Sequence, residues 1–259
     1  MSWVLVLVTD RAYVDRYRYT LEAARGIGKW DRHIVCLAGP DIADDPGFMA
    51  LNLKHGVEIK KFPEIDTTAL MAKIGTPFAK GLGNEYRKRF QYHKFHLFDP
   101  WFQQWDYVFY LDCGLHIYGN LNRFTKFKYT PGLYYAHCDN YPRFKTCLRD
   151  QFEPREPYIS RLEASINLDH QGFQTTVQIF HTDLLASDMD IKAELIGLMN
   201  KYPIALTNDQ PITNILFNGI MNCWRWLPIW DSEGYLYDYF GRFEPAKNYV
   251  MTKDLAQNM

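Results

Sequence analysis

The chain has 259 residues, 47% of them hydrophobic and 23% charged, the balance of a water-soluble globular protein with a substantial core. Its 29 basic and 30 acidic side chains leave a formal charge of −1, which argues against nucleic-acid phosphates as the main partner. Aromatic residues make up 16%, with 18 Tyr and 17 Phe, a share that fills cores and also lines sugar and base sites.

Residues 3–8 (WVLVLV) form a continuous apolar run, the pattern of a parallel strand buried on both faces. The run lacks a basic leader and a small-residue cleavage site, and no apolar run approaches the ~20 residues that span a bilayer. The five cysteines (36, 113, 138, 147 and 223) are odd in number, widely spaced and contain no CxxC pair, so they suggest neither a disulfide framework nor a zinc ribbon. Together these features predict a soluble, cytoplasmic protein.

Residues 14–27 have helical content and stop at Gly26 and Gly28. His33–Ala38 is a second strand, halted by Gly39-Pro40, and residues 57–62 are a short third. Strand, helix, strand within 60 residues is the signature of a βαβ sheet. Thr9, Asp10 and Tyr13 follow the first strand, at the edge where such sheets bind ligands. Tyr13 could stack on a base and Asp10 accept its hydrogen bonds; a capping Asp and a core Tyr explain the same residues. No GxGxxG or GxxxxGK[ST] follows this strand.

Lys80, Gly81, Leu82, Gly83 and Asn84 form a basic, glycine-rich tract before a helix expected over about 85–98. Phe90, Leu97, Phe98 and Trp101 mark its apolar stripe, and Lys94 lies on that stripe. An ammonium there is costly unless it reaches an anion or snorkels to the edge, and a phosphate is the favoured partner. His93 and His96 are three apart, as metal ligands or as packing residues. Tyr107–Leu111 is a buried central strand that stops at Asp112, with Gly114 two residues on. A carboxylate there sits where α/β sheets bind ligands, or else caps a turn.

Residues 120–124 read as a short turn or helix and residues 132–137 as a strand. Pro154 and Pro157 punctuate an irregular tract, followed by a short helix over 158–164 and a polar loop over 167–172. Residues 173–180 alternate with period two and form a strand; residues 183–200 read as a helix with Leu184, Leu185, Ile191, Leu195 and Leu198 inward. Thr207, Asn208, Asp209, Gln210 and Pro211 open a last helix through Phe217. Residues 223–229 suggest a final strand, and the tail beyond Asp231 is unassigned.

Taken in order, these stretches resemble nucleotide-sugar glycosyltransferases of the GT-A fold, in particular the glycogenin and lipopolysaccharide-galactosyltransferase-like group. The matching pieces are TDxxY (Thr9, Asp10, Tyr13), the Lys94 helix with WDYVFYLDCG, FQTTVQIFHTDLL and TNDQ, spread over residues 3–218. The resemblance implies one α/β domain over 1–259 with a mixed, mostly parallel sheet, a nucleotide-binding half of about 1–125 and an acceptor-side half of about 126–259. It implies transfer of a sugar, with retention, from a nucleotide sugar (a UDP-sugar by preference) to a glycan or other hydroxyl acceptor. Thr9, Asp10, Tyr13, Lys94, Asp112 and Gly114 would bind the donor, and Asp209, Asp169 and Lys94 would serve the chemistry.

The family's DxD triplet is here Asp112-Cys113-Gly114, without its second carboxylate. Mn²⁺ or Mg²⁺ wants several oxygen ligands, so Asp112 alone would hold it weakly. Three outcomes follow: His116, Asp139 or His181 completes a site with Asp112 (His181 being the metal ligand expected beside it), Lys94 and other cations replace the metal, or catalysis is lost. The alternatives to transfer are an inactive GT-A domain that binds nucleotide sugar or glycan, and a nucleotidyltransferase.

Overall fold

A computed structural model of the chain describes residues 1–74, 89–139, 147–239 and 245–253. Its main strands are β1 (Trp3–Thr9), β2 (His33–Ala38), β3 (Val57–Lys60), β4 (Tyr107–Leu111), β6 (Tyr134–Cys138), β7 (Phe173–His181) and β8 (Trp224–Trp226), with a two-residue β5 (His116–Ile117) between β4 and β6. Seven of these make one sheet in the order β3-β2-β1-β4-β7-β6-β8. β3, β2, β1 and β4 run parallel, β7 is antiparallel to both β4 and β6, and β8 is parallel to β6. The sheet is mixed and mostly parallel, as the sequence predicts.

Alternation explains why β1 and β4 occupy the centre. Val4, Val6 and Val8 of β1, with Val108 and Tyr110 of β4, enter the core on one face. Trp3, Leu5 and Leu7, with Tyr107, Phe109 and Leu111, enter a second core on the other. Every residue of both strands is buried, so neither can move to an edge without exposing a full apolar face.

The helices are α1 (Val14–Arg25), α2 (Pro46–Lys54), α3 (Thr68–Ile74), α4 (Tyr158–Glu163), α5 (Ile191–Lys201) and α6 (Asp209–Asn214). α1 packs Tyr17, Leu21 and Ala24 into the second core. It ends at Arg25, earlier than the sequence suggests, because the Gly28 and Trp30 amides already bond back to the Ala23 and Ala24 carbonyls at 2.8 and 2.9 Å. The single helix expected over 183–200 is broken. Thr182–Ala186 forms a 3₁₀ turn, and α5 restarts after Asp190, whose carboxylate accepts the Ala193 amide at 3.0 Å. The stretch bearing Lys94 is a 3₁₀-helix over Tyr92–Phe98 that directly follows α-helical residues 89–91. The Lys80–Asn84 tract and residues 85–88 lie outside the described residues.

The tail, unassigned from sequence, forms a hairpin of β9 (Trp230–Asp231) and β10 (Gly234–Tyr235) and then β11 (Tyr237–Asp238) and β12 (Met251–Thr252). β12 pairs with β11 on one side and with β5 on the other, Thr252 opposite His116. That pairing carries Lys253 back to the loop that follows β4. Among the described residues no helix is long and apolar enough to cross a membrane. All five cysteines are free.

Candidate functional site

The carboxyl ends of the parallel strands β1 and β4 lie side by side, with Val6 opposite Tyr110. The chain leaves β1 through Asp10, which caps a 3₁₀ turn by accepting the Tyr13 amide on Oδ1 at 3.0 Å. Its other oxygen, Oδ2, is buried with no hydrogen-bond partner. Burial raises the Asp10 pKa, the Tyr13 amide opposes that, and Asp41 adds to it. An orphaned carboxylate oxygen beside a cavity is a ready acceptor for a ligand N–H or O–H. Tyr13 stands next to it, with the Arg16 guanidinium 5.3 Å from its ring centre.

The chain leaves β4 through Asp112, whose amide donates to the Thr176 carbonyl of β7 at 2.8 Å. Tyr110, two residues back on the same strand face, donates its hydroxyl to Asp112 Oδ1. Lys94 reaches the same oxygen, Nζ to Oδ1 3.0 Å, and also lies 3.3 Å from Asp209 Oδ2 and 3.4 Å from Oδ1. Asp209 opens α6 and takes a further hydrogen bond from Thr175 Oγ1 at 2.7 Å. Lys253 Nζ approaches Asp112 Oδ2 at 3.7 Å.

Charge explains the ionisation states. Burial works against the Lys94 ammonium, but Asp112 and then Asp209 outweigh it and hold its pKa above the ordinary value. Burial also pushes Asp112 up, and Lys94 and Lys253 outweigh it, so its pKa falls below the usual range. Asp209 moves the other way. Burial dominates, Lys94 offsets only part of it, and Asp112 repels the second negative charge, so its pKa rises. One cation shared between two carboxylates stabilises the better-partnered of the two.

Val8, Thr9, Asp10, Tyr13, Lys94 and Asp112 all line one cavity, so the structure brings together the residues named from both halves of the sequence pattern. Gly114 is not among the lining residues; it follows Cys113, which is, and has a φ of +93°, its amide donating to Thr20 Oγ1 of α1 at 2.8 Å. Asp209 stands behind Lys94 rather than on the cavity wall, buried, with both oxygens engaged. Asp169 is not brought to this site: it is exposed and pairs with Arg149 at 3.2 Å, beside Glu163. His181 is not brought to it either. It faces Tyr107 across the β4–β7 ladder, at the opposite end of β4 from Asp112, roughly 15 Å along the strand.

The other expected ligands are also occupied elsewhere. His116 Nδ1 lies 2.9 Å from the Tyr19 hydroxyl. His93 and His96 pack edge to face, stacked on Phe90 and Phe62, and are core residues. Burial, then His96, lowers the His93 pKa to about 3, and burial lowers that of His96 to about 4. Asp139, just past β6, receives the amides of Gln151, Gln174 and Gln210 at 3.1, 3.1 and 3.3 Å. These glutamines were not singled out in the sequence, although Gln210 directly follows Asp209 in the TNDQ motif.

A divalent cation does not fit the donor set. Asp112 already gives one oxygen to Lys94 and Tyr110, and its other oxygen faces Lys253. Gly114 supplies no side-chain oxygen, and among the described residues no group of three or more His, Cys, Asp and Glu side chains could hold a metal.

No protein-family model matches the chain, and no curated protein sequence matches it either. Solved structures do. The galactosyltransferase LgtC, in complex with donor and acceptor sugar analogs, superposes with a TM-score of 0.62 at 13% identity over 97% of this chain and 87% of that one. WbbM, a bifunctional glycosyltransferase, gives 0.62 at 15% over 98% of this chain, which spans only 46% of WbbM. Core-mannan synthase A of Aspergillus fumigatus, in its Mn/GDP form, gives 0.55 at 9% over 87% of this chain and 72% of that one. At these identities the likeness is one of fold, and the chain has the GT-A fold.

Proposed function

We propose that this chain is a glycosyltransferase that moves a sugar from a nucleotide sugar, a UDP-sugar by preference, to a glycan or other hydroxyl acceptor. The observation that carries the reading is the single cavity that joins Asp10 and Tyr13, at the end of β1, to the Lys94–Asp112 pair at the end of β4. A nucleotide sugar needs both: a flat, polar edge for its base and a cation for its diphosphate.

The roles follow from chemistry and position. The Asp10 oxygen that lacks a partner accepts an N–H from the base, and Tyr13 packs on the base face. Asp112 accepts a ribose hydroxyl and orients Lys94. Lys94 donates to the diphosphate, whose charge grows as the bond from the anomeric carbon to its oxygen breaks. The electron pair leaves with the diphosphate, a new bond forms from the anomeric carbon to the acceptor oxygen, and the acceptor proton departs with the product nucleotide. Asp209 anchors Lys94, and the amides around Asp139 offer donors and acceptors of the kind that sugar hydroxyls need. The reading keeps a nucleotide half of about 1–125, which supplies every lining residue but Lys253, and an acceptor half of about 126–259. Five free thiols suit a reducing, cytoplasmic setting.

The test is release of nucleoside diphosphate from a panel of UDP- and GDP-sugars, alone and with simple glycoside acceptors. Turnover, lost in Lys94→Met and in Asp112→Ala, is the expected result. Pyrophosphate release from a nucleoside triphosphate with a sugar 1-phosphate, and no use of nucleotide sugars, would overturn it in favour of a nucleotidyltransferase.

A further inference from the structure

The charges on the cavity wall run against a metal site. Arg16, Lys94 and Lys253 bring three cations to the lining, against two carboxylates, Asp10 and Asp112. Asp10 lies at the β1 end and Asp112 is already between two ammonium groups. A divalent cation entering here would meet like charge and find one shared carboxylate; a diphosphate would meet a cationic wall.

Gly114 shows what stands where a second carboxylate would. A side chain begun there would have its Cβ 3.3 Å from Cδ of Arg16, so the basic side chain fills the space against the glycine. The chain has glycine where the resembled motif has an acidic residue, and the stem of Arg16 packs against that glycine. Lys253 arrives independently, from the far end of the sequence, placed by the pairing of β12 with β5. The two cations are separate in sequence and reach the same cavity wall.

We propose that this site binds the diphosphate of its nucleotide without a divalent cation, the ammonium groups of Lys94 and Lys253 and the guanidinium of Arg16 standing in for the metal. The proposal rests on the nucleotide-sugar reading above and fixes how that reading works. Three cations supply hydrogen-bond donors and neutralise the leaving group at once. Lys94 is held in the free protein by two carboxylates, so part of its charge is released to the ligand only when the diphosphate displaces Asp112 as its partner.

Calorimetric titration of the intact chain with UDP, GDP and uridine, each in chelator and in Mn²⁺, tests this. Electron paramagnetic resonance of the Mn²⁺ gives a readout independent of turnover. The expected result is UDP or GDP binding in chelator that Mn²⁺ does not tighten, with the Mn²⁺ signal unchanged by protein. Lys253→Met should weaken the diphosphate by about tenfold or more, as loss of one charge-assisted hydrogen bond does, while leaving uridine binding unaltered. Lys253→Arg should retain most of the affinity, which separates charge from folding. Diphosphate binding that requires Mn²⁺, with the ion immobilised on the protein, would overturn this inference and leave the glycosyltransferase reading intact. No binding of any nucleotide in either buffer would overturn both.

Discussion

Lys94→Met is the sharpest perturbation of the site, because methionine keeps most of the volume and removes only the charge. The lysine side chain is 14% exposed, Asp112 19% and Asp209 4%. Without the ammonium, Asp112 still has the Tyr110 hydroxyl and Lys253, whereas Asp209 keeps only Thr175 among its side-chain partners described above. The cost therefore falls mainly on Asp209. Breaking a buried ion pair from one side costs about 3–5 kcal/mol. Lys94 is the main group holding the Asp209 pKa down against burial and the repulsion of Asp112, so removing it raises that pKa further.

The sign follows from linkage. A carboxyl whose folded pKa lies above its unfolded value favours the folded state at low pH, and that advantage is lost as pH rises through the folded pKa. The variant should thus lose about 3–5 kcal/mol relative to the parent at pH 8 and less at pH 5, because a raised Asp209 pKa favours the folded state toward lower pH. Urea unfolding followed by tryptophan fluorescence at the two pH values measures this. Adding Asp209→Asn to Lys94→Met should recover more than half of the loss at pH 8 and flatten its pH dependence. A loss under about 1 kcal/mol, the value of a solvent-screened pair, or one equal at both pH values, would refute the reasoning.

His93 and His96 titrate well below an ordinary imidazole, at about 3 and about 4, and so are buried neutral. Because these folded values lie below the unfolded one, the parent should lose stability as pH falls from about 6.5 toward 4, and His93→Phe should soften that loss in the same urea titration. Gly114→Ala should cost about 1 kcal/mol or more, since a side chain at φ +93° is strained and its Cβ meets Arg16; a midpoint unchanged in urea would show that the loop relaxes.

The parts of the fold that were legible in the sequence are those whose burial is symmetrical. β1 and β4 are apolar at every position because both their faces are covered, and such runs announce themselves. The carboxylate that ends β4 and the lysine that breaks an apolar stripe were legible for the complementary reason: a charge in an apolar setting demands a partner, and each proved to be the other's. Helix boundaries were not, since 183–200 keeps its apolar spacing across a break that only the Asp190 cap reveals. His181 misled because sequence distance along a strand says nothing about which end faces the ligand until the antiparallel partner is known; β7 runs back along β4 and carries His181 away as it brings Thr175 and Thr176 in. Lys253 could not have been found at all. Its place depends on a two-residue strand pairing with another two-residue strand some 135 positions earlier, a contact with no local signature. Arg16 was nearer to view, three residues after Tyr13 on the same first turn, where helical spacing sets both at one edge. The Lys94–Asp112 pair was thus readable from pattern, while the third cation of the cavity wall, Lys253, came from the topology, and in the proposal above it is this added charge that weighs against a metal.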